Sequence, residues 1–366
     1  MDLKTMRMEF RKGWKGFTIF IFVVVLIVGG MAQLYPVVSE TFEEEAGELD
    51  GEESLELEFL EEKNEFNLSW EKVEGAKEYI VLEDTKSHMA TSSDIGNTTE
   101  TYMTIPSEDN RDERYFGVVA VVEVEDEESR VPIGMASTVE RKTPLEEMME
   151  TPYFRMFTAG REDMRIDEIE GYLSVELYSW WILLVGVYLS FLSVKSVTGD
   201  YEEGRMDIIF STPLSRKEYL LQKFSALALF SLALVVLSGL ILTLSVYSVG
   251  EGFRLNPFLV SIVISWPMLL VIIAVSIFLA VLFKSSRMAV GATFAVILVQ
   301  YALFMAGHMV ESLESVLPFT ISYYWDYNSV LLDGVVHLWD LVLLILVAFI
   351  LFFGSLVLFE NRDIPA

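Results

Sequence analysis

The chain contains no cysteine and only three histidines, His88, His308 and His337. Without cysteine there are no disulfide staples, no thiol nucleophile and no thiolate metal site. The histidines are too scattered in sequence for ligand spacing. Basic residues are also scarce, 26 Lys and Arg against 54 Asp and Glu in 366 residues, a formal charge of −28. A surface that tracks nucleic-acid phosphates needs Lys and Arg clusters, so nucleic acid is excluded as a partner. No H-E-x-x-H or G-x-S-x-G occurs, and no P-loop. Gly199 to Gly204 has the P-loop glycine spacing but continues Arg205-Met206 instead of Lys-Ser/Thr. The chain therefore carries no nucleotide-hydrolysing motif of its own.

What the chain does have is apolar residues, 52% of the total. Such a fraction and a charge of −28 cannot be mixed evenly in one soluble fold. They are segregated: residues 36–177 hold 39 acidic and 12 basic residues, and everything else sums to −1. A bilayer core needs about 20 mostly apolar residues per helical span. Six runs qualify, at roughly 16–35, 176–197, 224–249, 258–283, 287–308 and 336–359. Amphipathic periodicity is missing from them, which argues against buried helices of a large soluble protein. With the N-terminus inside, thirteen Lys and Arg fall on cytoplasmic pieces and only Arg254 on the short outer loops, as the positive-inside rule demands. Six spans return the C-terminus to the inside and place about 37–175 outside. Tyr178, Trp180 and Trp181 before the second span, and Tyr323 to Trp325 before the sixth, suit an outer aromatic belt. Gly30-Met31-Ala32 also resembles a signal-peptide cleavage site, though the apolar run is long for one. The preceding KTMRMEFRKGWK, with Met6, Phe10 and Trp14 at helical spacing, reads as a basic amphipathic helix on the inner surface.

Residues 37–54 form an acidic, aromatic-poor stretch expected to be a solvated linker. The pattern then switches to a period of two. Strands are expected near 55–60, at Phe66 to Trp70, from Tyr79, at Tyr102 to Ile105, over Tyr115 to Glu125 and over roughly 134–140, which suggests a β-sandwich. NLSWEKVEGAKEYIVLEDT, YFGVVAVVEVEDEES and ASTVER together resemble a fibronectin type III domain covering 55–142. That resemblance implies a core built on Trp70, Tyr79, Phe116, Val118 and Ala120. Asn67 and Asn97 fit the glycosylation pattern. Residues 143–175 would connect the domain to the second span.

The most informative stretch is TGDYEEGRMDIIFSTPLSRKEYLLQKFSA, residues 198–226, on the inner side between the second and third spans. Met206, Ile209 and Phe210 share one helical face. Glu202 and Glu203 suit the N-terminal turn of that helix, and Thr212-Pro213 stops it. An apolar face on such a loop needs a partner, either the lipid interface or another protein. The segment closely resembles the signature of the permease subunits of type-2 ABC exporters, the ABC-2 family: an acidic pair, Gly204, an apolar helix, Ser211-Thr212-Pro213, then Ser215-Arg216 and Lys223. GYLSVELYSWW, LPFTISYYWDYNSVLLDG and the terminal FENRDIP fit as well, so the resemblance covers 1–36 and 150–366. Arg205 stands where the family usually has Thr, and Asp200 where it often has Glu.

The resemblance implies a fold and a division of labour. The fold is an α-helical polytopic membrane protein of six transmembrane helices, with an inserted all-β immunoglobulin-like or fibronectin type III sandwich. The region 176–366 would hold spans two to six and a coupling helix at 200–213. That helix would dock on a separate ATPase subunit, which binds the ATP and Mg, while this chain carries no cofactor. A second permease copy or paralogue would complete a dimer. Met206, Ile209 and Phe210 are expected to be the docking face, oriented by Glu202, Glu203, Gly204, Pro213 and Arg216. Among polar groups at membrane depth, Gln300 sits deepest and is expected either to line a translocation path or to bond between helices. Lys195 and Lys223 are expected to snorkel to the inner surface; Gln222 and Asp340 lie near span boundaries. A rival reading, a membrane-anchored adhesion or sensor protein acting through its outer domain, explains the insert but not the loop.

Overall fold

The computed structural model describes residues 4–50, 55–60, 65–84, 92–107, 114–124, 127–137, 151–161, 164–211, 213–250, 255–283 and 285–361. The side chains of residues 4–15 and of Ile208, and all of His88, Thr212, Arg254, Lys284 and Arg362, lie outside that description. So do the expected contacts of Met6, Phe10 and Trp14. The chain divides into two compact units, Met1–Ser39 with Met149–Ala366, and Glu40–Met148.

Six helices are long and apolar enough to cross a membrane: Gly16–Ser39, Ile169–Glu202, Arg216–Ser248, Pro257–Leu282, Ser286–Met309 and Leu338–Glu360. The first belongs to α1 (Lys4–Asp50). Residues 37–50, expected as a linker, instead continue this helix; their Glu-rich sequence has good helix propensity. The second span begins at Ile169, seven residues before the expected start, so part of the expected connector is membrane helix. Short helix α2 (Pro152–Phe157) precedes it, capped by the Thr151 side chain. The span runs as α3 (Ile169–Leu173), two π-helical turns at Ser174–Tyr178 and Ile182–Gly186, and α4 (Val187–Glu202). After the short α5 (Met206–Phe210) come α6 (Arg216–Ser248), α7 (Leu255–Val263), α8 (Trp266–Leu282), α9 (Ser286–Met309) and α10 (Leu338–Glu360).

The fourth span is split between α7 and α8 because of Pro267. Proline has no N–H for the carbonyl four residues earlier, and its ring crowds that carbonyl. The helix accordingly ends at Val263, and Ser265 closes the gap with Oγ donating to the Ile262 carbonyl at 2.6 Å. The π turns of the second span face this break. Tyr178 Oη shares a 2.6 Å hydrogen bond with Ser261 Oγ, and Trp181 Nε1 donates to Ser265 Oγ at 3.0 Å. Ser174 Oγ donates to Asn328 Oδ1 at 2.8 Å, and Trp325 Nε1 donates to the Ser261 carbonyl at 2.8 Å. π turns inside α-helices are often functional features, and here they turn polar side chains toward one another inside the bundle.

α8 is the central helix: 72% of the most apolar window of its span is buried, against 22% for the first and sixth spans and 28% for the fifth. Lipid tails are as apolar as leucine, so helix association in a bilayer rests on tight packing and satisfied polar groups. Both are present. Phe17 stacks on Phe230 at 4.4 Å and Phe224 on Phe352 at 4.4 Å. Many buried hydroxyls return to their own helix, as with Ser193 to the Leu189 carbonyl and Thr243 to that of Gly239, which satisfies the donor where no water is at hand. Gly239 brings α6 against α7 so closely that a Cβ there would lie 2.8 Å from Leu259 Cδ1.

The second unit is all antiparallel β. One sheet has the order β1 (Leu55–Leu60), β2 (Glu65–Trp70), β5 (Tyr102–Pro106); the other has β4 (Ser93–Thr98), β3 (Ala76–Asp84), β6 (Tyr115–Val124), β7 (Glu127–Ser137). Leu68, Trp70, Tyr79, Val81, Ile105, Phe116, Val118 and Ala120 form the buried core. Trp70 meets Tyr79 edge-on at 5.4 Å. β4 has no counterpart in the sequence reading: Ser-Asp-Ile-Gly-Asn-Thr lacks apolar alternation and pairs only with β3 at a sheet edge. β7 starts at Glu127, earlier than expected, because its first residues pair with the end of β6 rather than packing in the core.

Candidate functional site

The signature segment 198–226 folds into a clasp that joins four span ends. α4 ends at Glu202 with Glu203 as its C-cap, so this acidic pair closes α4 and does not open the helix that follows. Gly204, with φ of +64°, then reverses the chain, its N–H bonding the Tyr201 carbonyl and Arg205 N–H the Asp200 carbonyl, at 3.1 and 3.0 Å. Glycine reaches this left-handed region without the Cβ penalty other residues meet. Nothing lies within 4 Å of where a Cβ would sit. Gly204→Ala should therefore cost only its backbone strain, about 1 kcal/mol, read as a small drop in apparent melting temperature of the detergent-solubilised protein.

The reversal turns Arg205 back onto α4. Its Nε and Nη2 donate to Asp200 Oδ1 at 2.9 and 2.8 Å, and its Nη1 pairs with Glu203. Arg205 and Asp200, the two positions that depart from the family pattern, thus pair with each other. Asp200 is 1% exposed and has further partners. Its Oδ2 accepts from Tyr219 Oη at 2.8 Å and from Lys223 Nζ at 2.7 Å. Lys223 also donates to the Ser196 carbonyl at 2.7 Å, and its ammonium lies 5.1 Å from the Tyr219 ring centre.

Lys223 does not snorkel. It is fully buried, because a carboxylate, a carbonyl and an aromatic face are all within reach inside the bundle, so solvent has nothing better to offer. Lys195 does reach outward, and pairs with Glu202 at 3.4 Å with both side chains over two-fifths exposed. Gln222 is buried.

The expected docking face is also turned the other way. Met206 and Ile209 are 4% and 9% exposed and belong to the chain's own core. Phe210 packs there too, 5.7 Å from Tyr219 and 6.4 Å from Phe359. Tyr219 in turn stacks on Phe359 at 5.7 Å. The apolar face therefore finds its partner at the ends of α6 and α10, and the face left open is polar: Glu202, Glu203, Gly204, Asp207, Ser211 and Pro213 are exposed.

Two further ties complete the clasp. Glu202 Oε1 accepts from Ser286 N–H at 3.2 Å, placing a carboxylate at the N-terminus of α9, where the helix dipole favours it. Ser215 and Glu218 form a reciprocal capping box at the start of α6. The next residue, Arg216, donates to the Phe359 and Glu360 carbonyls at 3.4 and 3.1 Å, at the C-terminus of α10. Spans two, three, five and six are thus joined at one end by residues from 196–223, 286 and 359–360.

Gln300 lies apart from this site. Its Oε1 accepts from Ile321 N–H at 2.9 Å and its Nε2 donates to the Phe319 carbonyl at 3.4 Å. The amide thus bonds the backbone of the segment that precedes α10, not a neighbouring span. His308 and His337, far apart in sequence, line one cavity at this other end of the bundle, together with Asp340.

A profile of the family described as "ABC-2 family transporter protein" matches residues 4–364. No curated protein matches. Among solved structures, the chain is similar to the crystal structure of a β-1,2-glucanase from Parabacteroides distasonis, at 15% identity and a TM-score of 0.19; the match covers 63% of this chain and 35% of that one. So low a structural score carries no argument about fold or activity. The family match spans both compact units and includes the segment that builds the clasp, so this six-span membrane protein belongs to the ABC-2 family of transporter proteins.

Proposed function

We propose that the chain is the permease subunit of an ATP-binding cassette exporter, coupling ATP hydrolysis by a separate ATPase subunit to movement of a substrate across the cell membrane. The observation that carries this reading is the clasp. A short helix sits at one end of the bundle, anchored by Met206, Ile209 and Phe210 and tied through Asp200, Lys223, Glu202 and Arg216 to the ends of four spans. A push on that helix reaches all four at once. The ATPase subunit holds the ATP and Mg, and docks on the exposed acidic ridge of Glu202, Glu203 and Asp207 instead of on an apolar face. The clasp end is cytoplasmic, in keeping with the distribution of Lys and Arg, and both termini share that side. The β-sandwich is extracytoplasmic and of fibronectin type III kind, which its three-plus-four strand arrangement supports. The permease works as a dimer, with a second copy or a paralogue.

Affinity purification of the full chain from its native membrane is expected to recover an ATPase bearing a P-loop, whose hydrolysis depends on this subunit. Repeated recovery of the intact permease with no such partner, under mild detergent and low salt, would overturn the reading.

A further inference from the structure

At the end of the bundle opposite the clasp, a cavity of about 400 Å³ opens among the C-terminal turn of α9, the segment 322–329 and the start of α10. Its volume is that of a small-molecule site. Aromatic residues form its walls: Phe304, Trp325 and Tyr327 are buried and Tyr323 is exposed at the mouth.

The polar groups facing it are unevenly satisfied. Arg161, the one guanidinium on the lining, is held by Asp333 in two hydrogen bonds at 2.8 and 3.3 Å. Asp326 accepts from Ser329 N–H and Oγ at 3.0 and 2.5 Å, and lies 3.6 Å from His337. Asp340 has no side-chain hydrogen bond or ion pair among the described residues. Ser322 is 6% exposed, and its buried Oγ has no hydrogen-bond partner. His308 Nε2 is likewise buried and unpartnered. That ring is held in place from behind: Ala159 and Gly160 wrap it with φ of +50° and +79°, and a Cβ on Gly160 would meet its Nδ1 at 2.8 Å. Phe304 fixes its other side, edge-on at 4.7 Å. A buried polar atom without a partner is uncommon in a folded protein, and three residues of this lining, His308, Ser322 and Tyr327, carry one.

We propose that this cavity is a binding site for a small aromatic or aliphatic amine in its ammonium form. Two carboxylates on the lining, with the one guanidinium already engaged by Asp333, select a cation. The aromatic side chains of the lining, Trp325 and Tyr323 among them, favour an organic cation, and no group of three His, Cys, Asp or Glu side chains among the described residues converges as a metal site would require. The ammonium N–H groups are donors for Asp340 and Asp326, while Ser322 Oγ and His308 Nε2 supply further hydrogen-bonding partners. The proposal does not rest on ATPase coupling, because binding is read on the permease alone.

The probe is 2-phenylethylammonium, compared with its neutral isostere 2-phenylethanol, on the full chain in nanodiscs without nucleotide. Saturable binding of the ammonium is expected by ligand-observed NMR or calorimetry. The alcohol should compete at least tenfold more weakly. Asp340→Asn should lower affinity for the ammonium about tenfold while shifting the melting temperature only slightly, since what the fold loses is the favourable place of a carboxylate in the first turn of α10. Ser322→Ala should lower it several-fold. Equal competition by the alcohol, unchanged affinity in Asp340→Asn, or no saturable binding would each overturn the proposal. If Asp340→Asn fails to fold, Tyr323→Ala at the exposed mouth takes its place, with a several-fold loss expected and an unchanged affinity counting against the site.

Discussion

Replacing Asp200 with alanine is expected to destabilise the solubilised protein by about 3–5 kcal/mol, the usual cost of stranding one member of a buried pair. Lys223 is fully buried, and the Asp200 carboxylate lies 2.7 Å from its ammonium. A neutral acceptor such as the Ser196 carbonyl, 2.7 Å away, offsets little of an ammonium's desolvation. Lys223→Ala should cost a similar amount, although Asp200 then keeps Arg205 and Tyr219. The informative variant is the double one, Asp200→Leu with Lys223→Met. It removes both charges, with Met close to Lys in volume and Leu somewhat larger than Asp, and replacing a buried ion pair by apolar residues is often close to neutral. Most of the lost stability should return. Chemical unfolding in detergent measures all three variants. A double variant no more stable than the worse single one would show that the cost lies in packing, not in the stranded charge. The same protein tests function: if the pair transmits motion from the clasp, the refolded double variant still binds an ATPase subunit but hydrolysis no longer drives transport.

Reversing charge on the open ridge should do the opposite, sparing the fold and removing the partner. Glu203→Lys combined with Asp207→Lys is expected to weaken ATPase binding at least 100-fold, roughly 2.7 kcal/mol. Opposed like charges at an interface cost several kcal/mol, and rim charges set the rate of encounter. Glu203 is exposed and pairs with Arg205, so a lysine there also repels its neighbour. Asp207→Lys alone is the cleaner control, because Asp207 is exposed and its carboxylate has no side-chain bond among the described residues. Wild-type association should also weaken as salt rises, since exposed charges are screened over a Debye length of about 8 Å at physiological ionic strength. Binding that is indifferent both to Asp207→Lys and to salt would mean that the ATPase docks elsewhere.

Much of the architecture is legible in the amino-acid order. Six apolar runs, the segregation of charge and the alternation around Trp70, Tyr79 and Phe116 follow from local composition and period. The clasp is located by its motif, because a polar-apolar-polar sequence between two spans is conspicuous. Its interior is not. Lys223 at a span boundary reads as a snorkelling lysine, since nothing local shows that Asp200, 23 residues earlier on another helix, will lie 2.7 Å away. The apolar face of α5 announces a need for cover without naming the cover, and the tertiary fold supplies Tyr219 and Phe359 before any second protein can. The cavity is equally silent in sequence: His308 and His337 meet only because the residues between them fold back along α9, pinned by Gln300. A signal was present for one of these. Asp200 and Arg205 are opposite in charge and five residues apart across Gly204, a glycine that can turn the chain back on itself.

The interruption at Ile264 and Ser265 has a mechanical consequence. α8 is 17 unbroken residues, about 25 Å of stiff rod, and it stops where Trp181 grips Ser265. Beyond that point α7 is a separate short rod. A displacement arriving along α8 is therefore not carried onward through a continuous backbone ladder; it is handed sideways, through an indole and a hydroxyl, to the π-turned part of the second span. The joint lacks a backbone bond where Pro267 sits, and the second span holds both of its sides, Ser261 through Tyr178 and Ser265 through Trp181, so it works as a bridged hinge and not as a free gap.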